Sequence, residues 1–126
     1  PTNQLFSNLA QKLNIILFAG TVGERPSNGK DYLNPNGDKR VFNTQYVFSR
    51  DGSILAKYQK THLFNLYNED GTPHYCESDG FIPGDKLVTC SIDGFNVGLA
   101  TCYDLRFPEF FAKLAKKAPL KKLPSP

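Results

Sequence analysis

Near the start of the chain, Leu5, Phe6, Leu9, Ala10 and Leu13 recur at helical spacing. The pattern predicts an amphipathic helix over 4–13, with Thr2 or Asn3 available as a cap and Asn14 as a left-handed stop. Residues 15–22 then run almost unbroken as Ile-Ile-Leu-Phe-Ala-Gly-Thr-Val, the pattern of a strand covered on both faces. A helix followed at once by a buried strand points to layered α/β packing.

The stretch 23–40 is rich in Gly, Pro, Asn and Asp and is expected to be an exposed loop. Strand-like runs at 41–49 and 54–58 flank Asp51-Gly52, a two-residue hairpin signal. A second hairpin is expected where 86–92 and 95–101 flank Asp93-Gly94. Between the hairpins, 61–84 holds Gly71, Pro73, Gly80, Pro83 and Gly84 with little periodicity, so it is expected to be loop. Helical spacing resumes at Phe110, with Pro108 and Glu109 suited to a first turn. Cys102 therefore sits where a buried strand is expected to bend toward a helix.

Composition narrows the class. With 126 residues, 40% hydrophobic and 21% charged, the chain has the make-up of one globular unit or a piece of one. No apolar run approaches a membrane span, and Pro1-Thr2-Asn3-Gln4 shows no signal-peptide pattern, so a cytoplasmic location and no membrane partner are expected. The net charge of +3 is concentrated in Lys113, Lys116, Lys117, Lys121 and Lys122, without which the chain is slightly acidic. A nucleic-acid protein usually interleaves its positive charge with stacking aromatics along a groove, and no nucleic-acid partner is expected.

Three cysteines, at 76, 90 and 102, cannot complete a disulfide framework, and no spacing suggests a zinc site. Free cysteine is usually a small buried hydrophobe, and Cys76 and Cys90 are read that way. Cys102 differs, because a thiol on a strand-to-helix bend can be presented with backbone amides aimed at an incoming carbonyl oxygen. Pairing with His62 or His74 would make the rival class a Cys-His protease. Taken singly, Lys60 reads as a solvated strand-end lysine and Glu77 as a loop carboxylate.

Three strings change that reading. Tyr58-Gln59-Lys60-Thr61-His62-Leu63-Phe64, the Glu77-Ser78 to Pro83-Gly84 segment, and Cys102-Tyr103-Asp104-Leu105-Arg106-Phe107-Pro108-Glu109 occur in the order found in the nitrilase superfamily of carbon-nitrogen hydrolases, which the chain resembles. Asn43-Thr44 and the Asp51-Gly52 hairpin also resemble its approach to the lysine. The likeness covers the chain from the first helix to about Ala118 and is closest to the amidase branch that includes ω-amidase and deaminated glutathione amidase.

The resemblance implies part of a four-layer αββα sandwich, commonly paired into homo-oligomers, and a cofactor-free, metal-free hydrolase of small-molecule amides. Cys102 would be the nucleophile, Lys60 the catalytic lysine and Glu77 the supporting glutamate. The backbone N–H of Tyr103 would share the oxyanion with Lys60, and Arg106 would hold a substrate carboxylate or serve as a structural ion-pair partner. A free thiol, with pKa about 8.5, is mostly protonated at neutral pH, so a cation and a carboxylate base nearby are useful to it.

The family's first glutamate, its general base, has no counterpart here. Glu24 lies on the wrong side of the first strand to fill that role. The Pro/Lys-rich stretch 119–126 does not read as the buried strand with which the family continues. The expectation is thus a partial domain over 1–118, truncated at both ends and followed by a tail. By itself it should have little amidase activity. The alternative is a catalytically inactive binding or structural module on the same scaffold.

Overall fold

Helix α1 (Thr2–Leu13) lays only the Phe6–Ala10 edge of its apolar stripe on the central sheet, while Leu5, Leu9 and Leu13 stay exposed. In the computed structural model, which describes residues 2–118, Ala10 is fully buried there and Phe6 packs on Phe48 with ring centroids 6.3 Å apart. The helix starts two residues before the predicted 4–13, so the proposed caps lie in its first turn. Asn14 ends it with φ of +54°, the left-handed stop its side chain tolerates.

Strand β1 (Leu17–Glu24) follows, two residues later than predicted at each end, and it is not covered on both faces as expected: it lies at the sheet's edge with only Ala19 buried and Phe18 exposed. After β2 (Tyr32–Leu33), β3 (Lys39–Phe48) forms the spine of a five-stranded sheet. It pairs antiparallel with β1 on one side, and with β4 (Ile54–Gln59) on the other. Its start also carries β2 and, in parallel, β7 (Phe81–Ile82). Flanking strands satisfy the backbone of β3, and packing on both of its faces buries Thr44, Tyr46, Val47 and Phe48.

Strand alternation then sorts the chemistry. Tyr46 and Phe48 of β3 pack with Ala10 and Phe6 of α1, whereas Val47, which pairs with Ala56, packs on the opposite face. That second face is covered by a ribbon of β8 (Thr89–Ile92) and β9 (Phe95–Gly98), and by helix α2 (Pro108–Lys117). Val47, Ala56 and Tyr58 meet Leu99, Phe110 and Leu114 there. The expected α/β layering is present, while the predicted tail at 119–126 lies outside the described residues.

Turn chemistry differs from expectation in one respect. Asp93 and Gly94 both take positive φ, +48° and +85°, as a two-residue hairpin requires. At Asp51-Gly52 the loop is instead closed by Ser49 N–H on the Ser53 carbonyl (2.7 Å), leaving Arg50-Asp51-Gly52 as a three-residue loop with Gly52 left-handed. Gly52 also lies against α1, where Ser7 Oγ donates to its carbonyl at 2.6 Å and a Cβ would sit 2.8 Å from that hydroxyl. The same three-residue turn recurs at 69–71, closed by Asn68 and Thr72, and joins β5 (Asn65–Tyr67) to β6 (Pro73–Cys76). The stretch 61–84 is therefore a hairpin, a short 3₁₀ turn (Glu77–Asp79) and β7 rather than plain loop.

Candidate active site

Lys60 ends the β4 ladder, its N–H donating to the Asn43 carbonyl at 2.9 Å. Alternation places it on the face of Ala56 and Tyr58, and it is 3% exposed. Glu77 enters from the turn after β6 and is 6% exposed. The ammonium donates to Glu77 Oε2 at 2.6 Å, and the same oxygen accepts the Phe64 N–H at 2.8 Å. Asn43 Nδ2 donates to the other oxygen at 3.0 Å. Neither residue is the solvated side chain its local context suggests: a charge is kept this deep only when paired and hydrogen-bonded.

Burial pushes the Glu77 carboxyl up, but Lys60, the Phe64 N–H and Asn43 outweigh it and hold its pKa below the usual 4.5. A carboxyl with a depressed folded pKa stabilises the fold above its unfolded value, and that contribution is lost as pH falls through the folded pKa. The chain is therefore expected to lose stability below about pH 4.5, with Glu77→Gln flattening the profile. Urea midpoints measured between pH 3 and 6 on the order of every half unit check this, and identical slopes in the two proteins would overturn it.

Cys102 opens a 3₁₀ turn (Cys102–Arg106) with φ of +50° and is exposed. A non-glycine residue in the left-handed region is strained, and such strain is kept where the surroundings over-determine it. The bend is thus a tight helical turn separated from β9 rather than the end of a strand. Tyr103 belongs to the turn's leading residues, whose N–H groups have no partner within the helix. Its ring meets Phe64 edge-on at 5.0 Å, and Phe64 is the residue whose N–H holds Glu77.

The sequence reading missed Asp104. It is fully buried, two residues after Cys102, and accepts from Tyr58 OH (2.6 Å) and Thr101 N–H (2.8 Å) on one oxygen. His62 N–H (3.1 Å) and His62 Nδ1 (2.7 Å) meet the other. Burial, followed by Asp104, raises the Tyr58 pKa well above its ordinary value. No local signal marked it, because its partners Tyr58 and His62 lie 46 and 42 positions upstream.

The remaining candidates divide clearly. Arg106 is exposed on the Cys102 turn and makes no salt bridge among the described residues. His62 is tied to Asp104 and stacked on Phe107 at 3.7 Å, while His74 is exposed on β6. Glu24 ends β1 on the α1 face, bonded to Lys57 (2.6 Å), Thr44 (2.8 Å) and Gln59 (3.1 Å), so the sheet separates it from Glu77. A cavity of about 330 Å³ lined by His62, Lys86, Phe110 and Lys113, among others, does not include Lys60, Glu77 or Cys102. Among the described residues no group of three or more His, Cys, Asp or Glu could hold a metal, and no helix is long and apolar enough to cross a membrane.

A buried Lys-Glu pair, with a strained exposed cysteine on a turn tied to the same strand end, suits acyl transfer from nitrogen. Residues 1–118 match the model of the Carbon-nitrogen hydrolase family. The chain belongs to this family. Among carbon-nitrogen hydrolases it is 38% identical over 114 residues to the omega-amidase NIT3 of Saccharomyces cerevisiae, covering 90% of this chain and 36% of that protein. It is 34% identical to the omega-amidase NIT2 of Homo sapiens, covering 86% of this chain and 35% of that protein. The chain thus spans about a third of the length of these curated relatives.

Solved structures agree. The C. elegans NitFhit protein superposes with a TM-score of 0.75 at 26% identity, covering 92% of this chain and 26% of that one. Saccharomyces cerevisiae Nit3, a member of branch 10 of the nitrilase superfamily, gives 0.67 at 34% identity, covering 92% and 35%. The mixed α/β fold of this chain is that of the nitrilase superfamily.

Proposed function

We propose that the chain carries the nucleophile half of a cysteine amidase, in which the Cys102 thiolate attacks the carbonyl carbon of a small carboxylate-bearing amide. A C–S bond forms as the carbonyl π electrons move to oxygen. Lys60, whose ammonium has two donors beyond the one given to Glu77, and the Tyr103 N–H are the groups assigned to that oxyanion. Donors aimed at charge that develops in the transition state typically supply about a hundredfold in rate or more each. The oxyanion electrons then re-form the C=O bond and the C–N bond breaks as the nitrogen takes the proton the thiol gave up, ammonia leaves, and water hydrolyses the thioester to the acid and restores the thiol. Arg106, exposed four residues on from the thiol, is assigned to the substrate's free carboxylate. The intact protein is read as a homo-oligomer acting without metal or cofactor.

The observation that carries this reading is the buried 2.6 Å Lys60–Glu77 pair, together with the omega-amidase relatives. A Cys-His protease is less well supported, because His62 is committed to Asp104 and His74 is exposed. Limited iodoacetamide treatment followed by peptide mapping tests the nucleophile. Cys102 is expected to label at least about tenfold faster than Cys90, whose thiol pKa is raised by burial. Even labelling across Cys76, Cys90 and Cys102 would overturn it.

Glu77 is the one carboxylate bonded to Lys60 among the described residues, and it serves as the lysine's partner, not as a separate base. The 126-residue chain by itself is therefore expected to release little ammonia. Cys102-dependent release at an enzyme-like rate would contradict this, whereas background release together with even labelling would favour the inactive-module alternative.

A further inference from the structure

Asp104 is an aspartate with no room for error. A carboxylate offers about four lone-pair sites. Here all four are used: Tyr58 OH and Thr101 N–H converge on Oδ2, His62 N–H and His62 Nδ1 on Oδ1. Because the partner is a carboxylate oxygen, the imidazole proton is assigned to Nδ1. The residue is 0% exposed, so water supplies none of these contacts.

What matters is which segments these donors belong to. Tyr58 and His62 lie two residues before and two residues after Lys60, and Thr101 and Asp104 bracket Cys102. One side chain therefore ties both ends of the lysine segment to the turn that carries the thiol. The arrangement is stiffened from outside the carboxylate as well. The Tyr58 hydroxyl also accepts the Thr61 N–H at 3.1 Å, closing the strand end on itself. The His62 ring is stacked on Phe107 at 3.7 Å and meets Phe110 edge-on at 5.3 Å, which joins it to α2.

We propose that Asp104 is a positioning residue, whose fully used carboxylate clamps the segments either side of Lys60 to the Cys102 turn and so fixes the thiol in register with the Lys60–Glu77 pair. This rests on the amidase reading of Cys102. The left-handed backbone at Cys102 fits the same account, since a strained conformation needs neighbours that hold it and Asp104 caps the turn through the Thr101 N–H. Asparagine is not a substitute for Asp104. Whichever way its amide is turned, the NH₂ group faces two donors and the oxygen can serve only the other two.

The test compares iodoacetamide labelling rates of Cys102, Cys76 and Cys90 in the same 126-residue chain, with Cys76 and Cys90 as internal references for folding. In Asp104→Asn the Cys102 rate relative to Cys76 is expected to fall about tenfold, the size of one disturbed charge-assisted hydrogen bond. Tyr58→Phe, which keeps three of the four contacts, is expected to give a smaller fall of about threefold. An unchanged ratio in both variants overturns the proposal. If Asp104→Asn makes all three thiols react alike, the chain has unfolded and Tyr58→Phe decides: an unchanged Cys102 preference there overturns it. A wild-type chain in which Cys102 shows no preference instead refutes the amidase reading on which the proposal stands.

Discussion

Glu77→Ala is expected to destabilise the chain by about 3–5 kcal/mol, enough to remove much of the 5–15 kcal/mol that holds an ordinary domain together. The size follows from where the pair lies. A surface ion pair is worth at most about 1 kcal/mol, because water solvates both partners when it breaks. Lys60 and Glu77 are 3% and 6% exposed, so truncating the glutamate leaves an ammonium with no counter-charge and little water. It also strips the Phe64 N–H and the Asn43 amide of their acceptor. Glu77→Gln keeps the volume and one acceptor oxygen, and should lose less. Urea unfolding gives the comparison directly. A loss under about 1 kcal/mol for Glu77→Ala would mean that Lys60 reaches solvent in its absence, and would remove the case for a preformed lysine site.

Gly84→Ala comes second, at about 3 kcal/mol, the upper end of overpacking costs. The Gly84 N–H donates to the Lys60 carbonyl at 2.8 Å, so the two backbones run in contact. A Cβ at this position would overlap the Gln59 carbonyl oxygen and lie 2.8 Å from its carbon. Backbone cannot swing aside as a side chain can, and the strand end carrying Lys60 would have to move. Gly80 is the matched control, because a Cβ there meets nothing within 4 Å. Gly80→Ala should stay within about 0.5 kcal/mol of the parent. Thermal or urea midpoints for the two variants check this, and equal midpoints would refute the close approach.

Local patterns in the chain were informative where one element answered to its own residues. The 3.6-residue spacing of Leu5, Leu9 and Leu13 marked α1, and Asp93-Gly94 marked its hairpin, because helix faces and left-handed turns are decided within a few residues. The β5–β6 hairpin carried a comparable signal in Asp70-Gly71, obscured by strands of only three and four residues, too short to establish a period. Strand β7 has two residues and pairs in parallel with β3, so nothing near it in the chain announces it.

The functional residues divide along the same line. Cys102 on a bend was legible from residue types and spacing, whereas the lysine and glutamate strings stood out only through their resemblance to the nitrilase superfamily. That Lys60 and Glu77, 17 positions apart, are buried against each other was not legible, since local context made each a surface residue. Nor was Asp104, whose partners lie 42 and 46 positions upstream as well as next to it. Glu24 shows the reverse case: the sheet pleat sends it to the α1 face with Lys57, while Asn43, one residue from its partner Thr44, faces Glu77. Residue type and short-range spacing dictate which chemistry a segment can carry, because conformational preference acts over a turn or two. Which charges are stripped of water, and which carboxylate meets which cation, depends on strands and turns distant in the chain packing face to face.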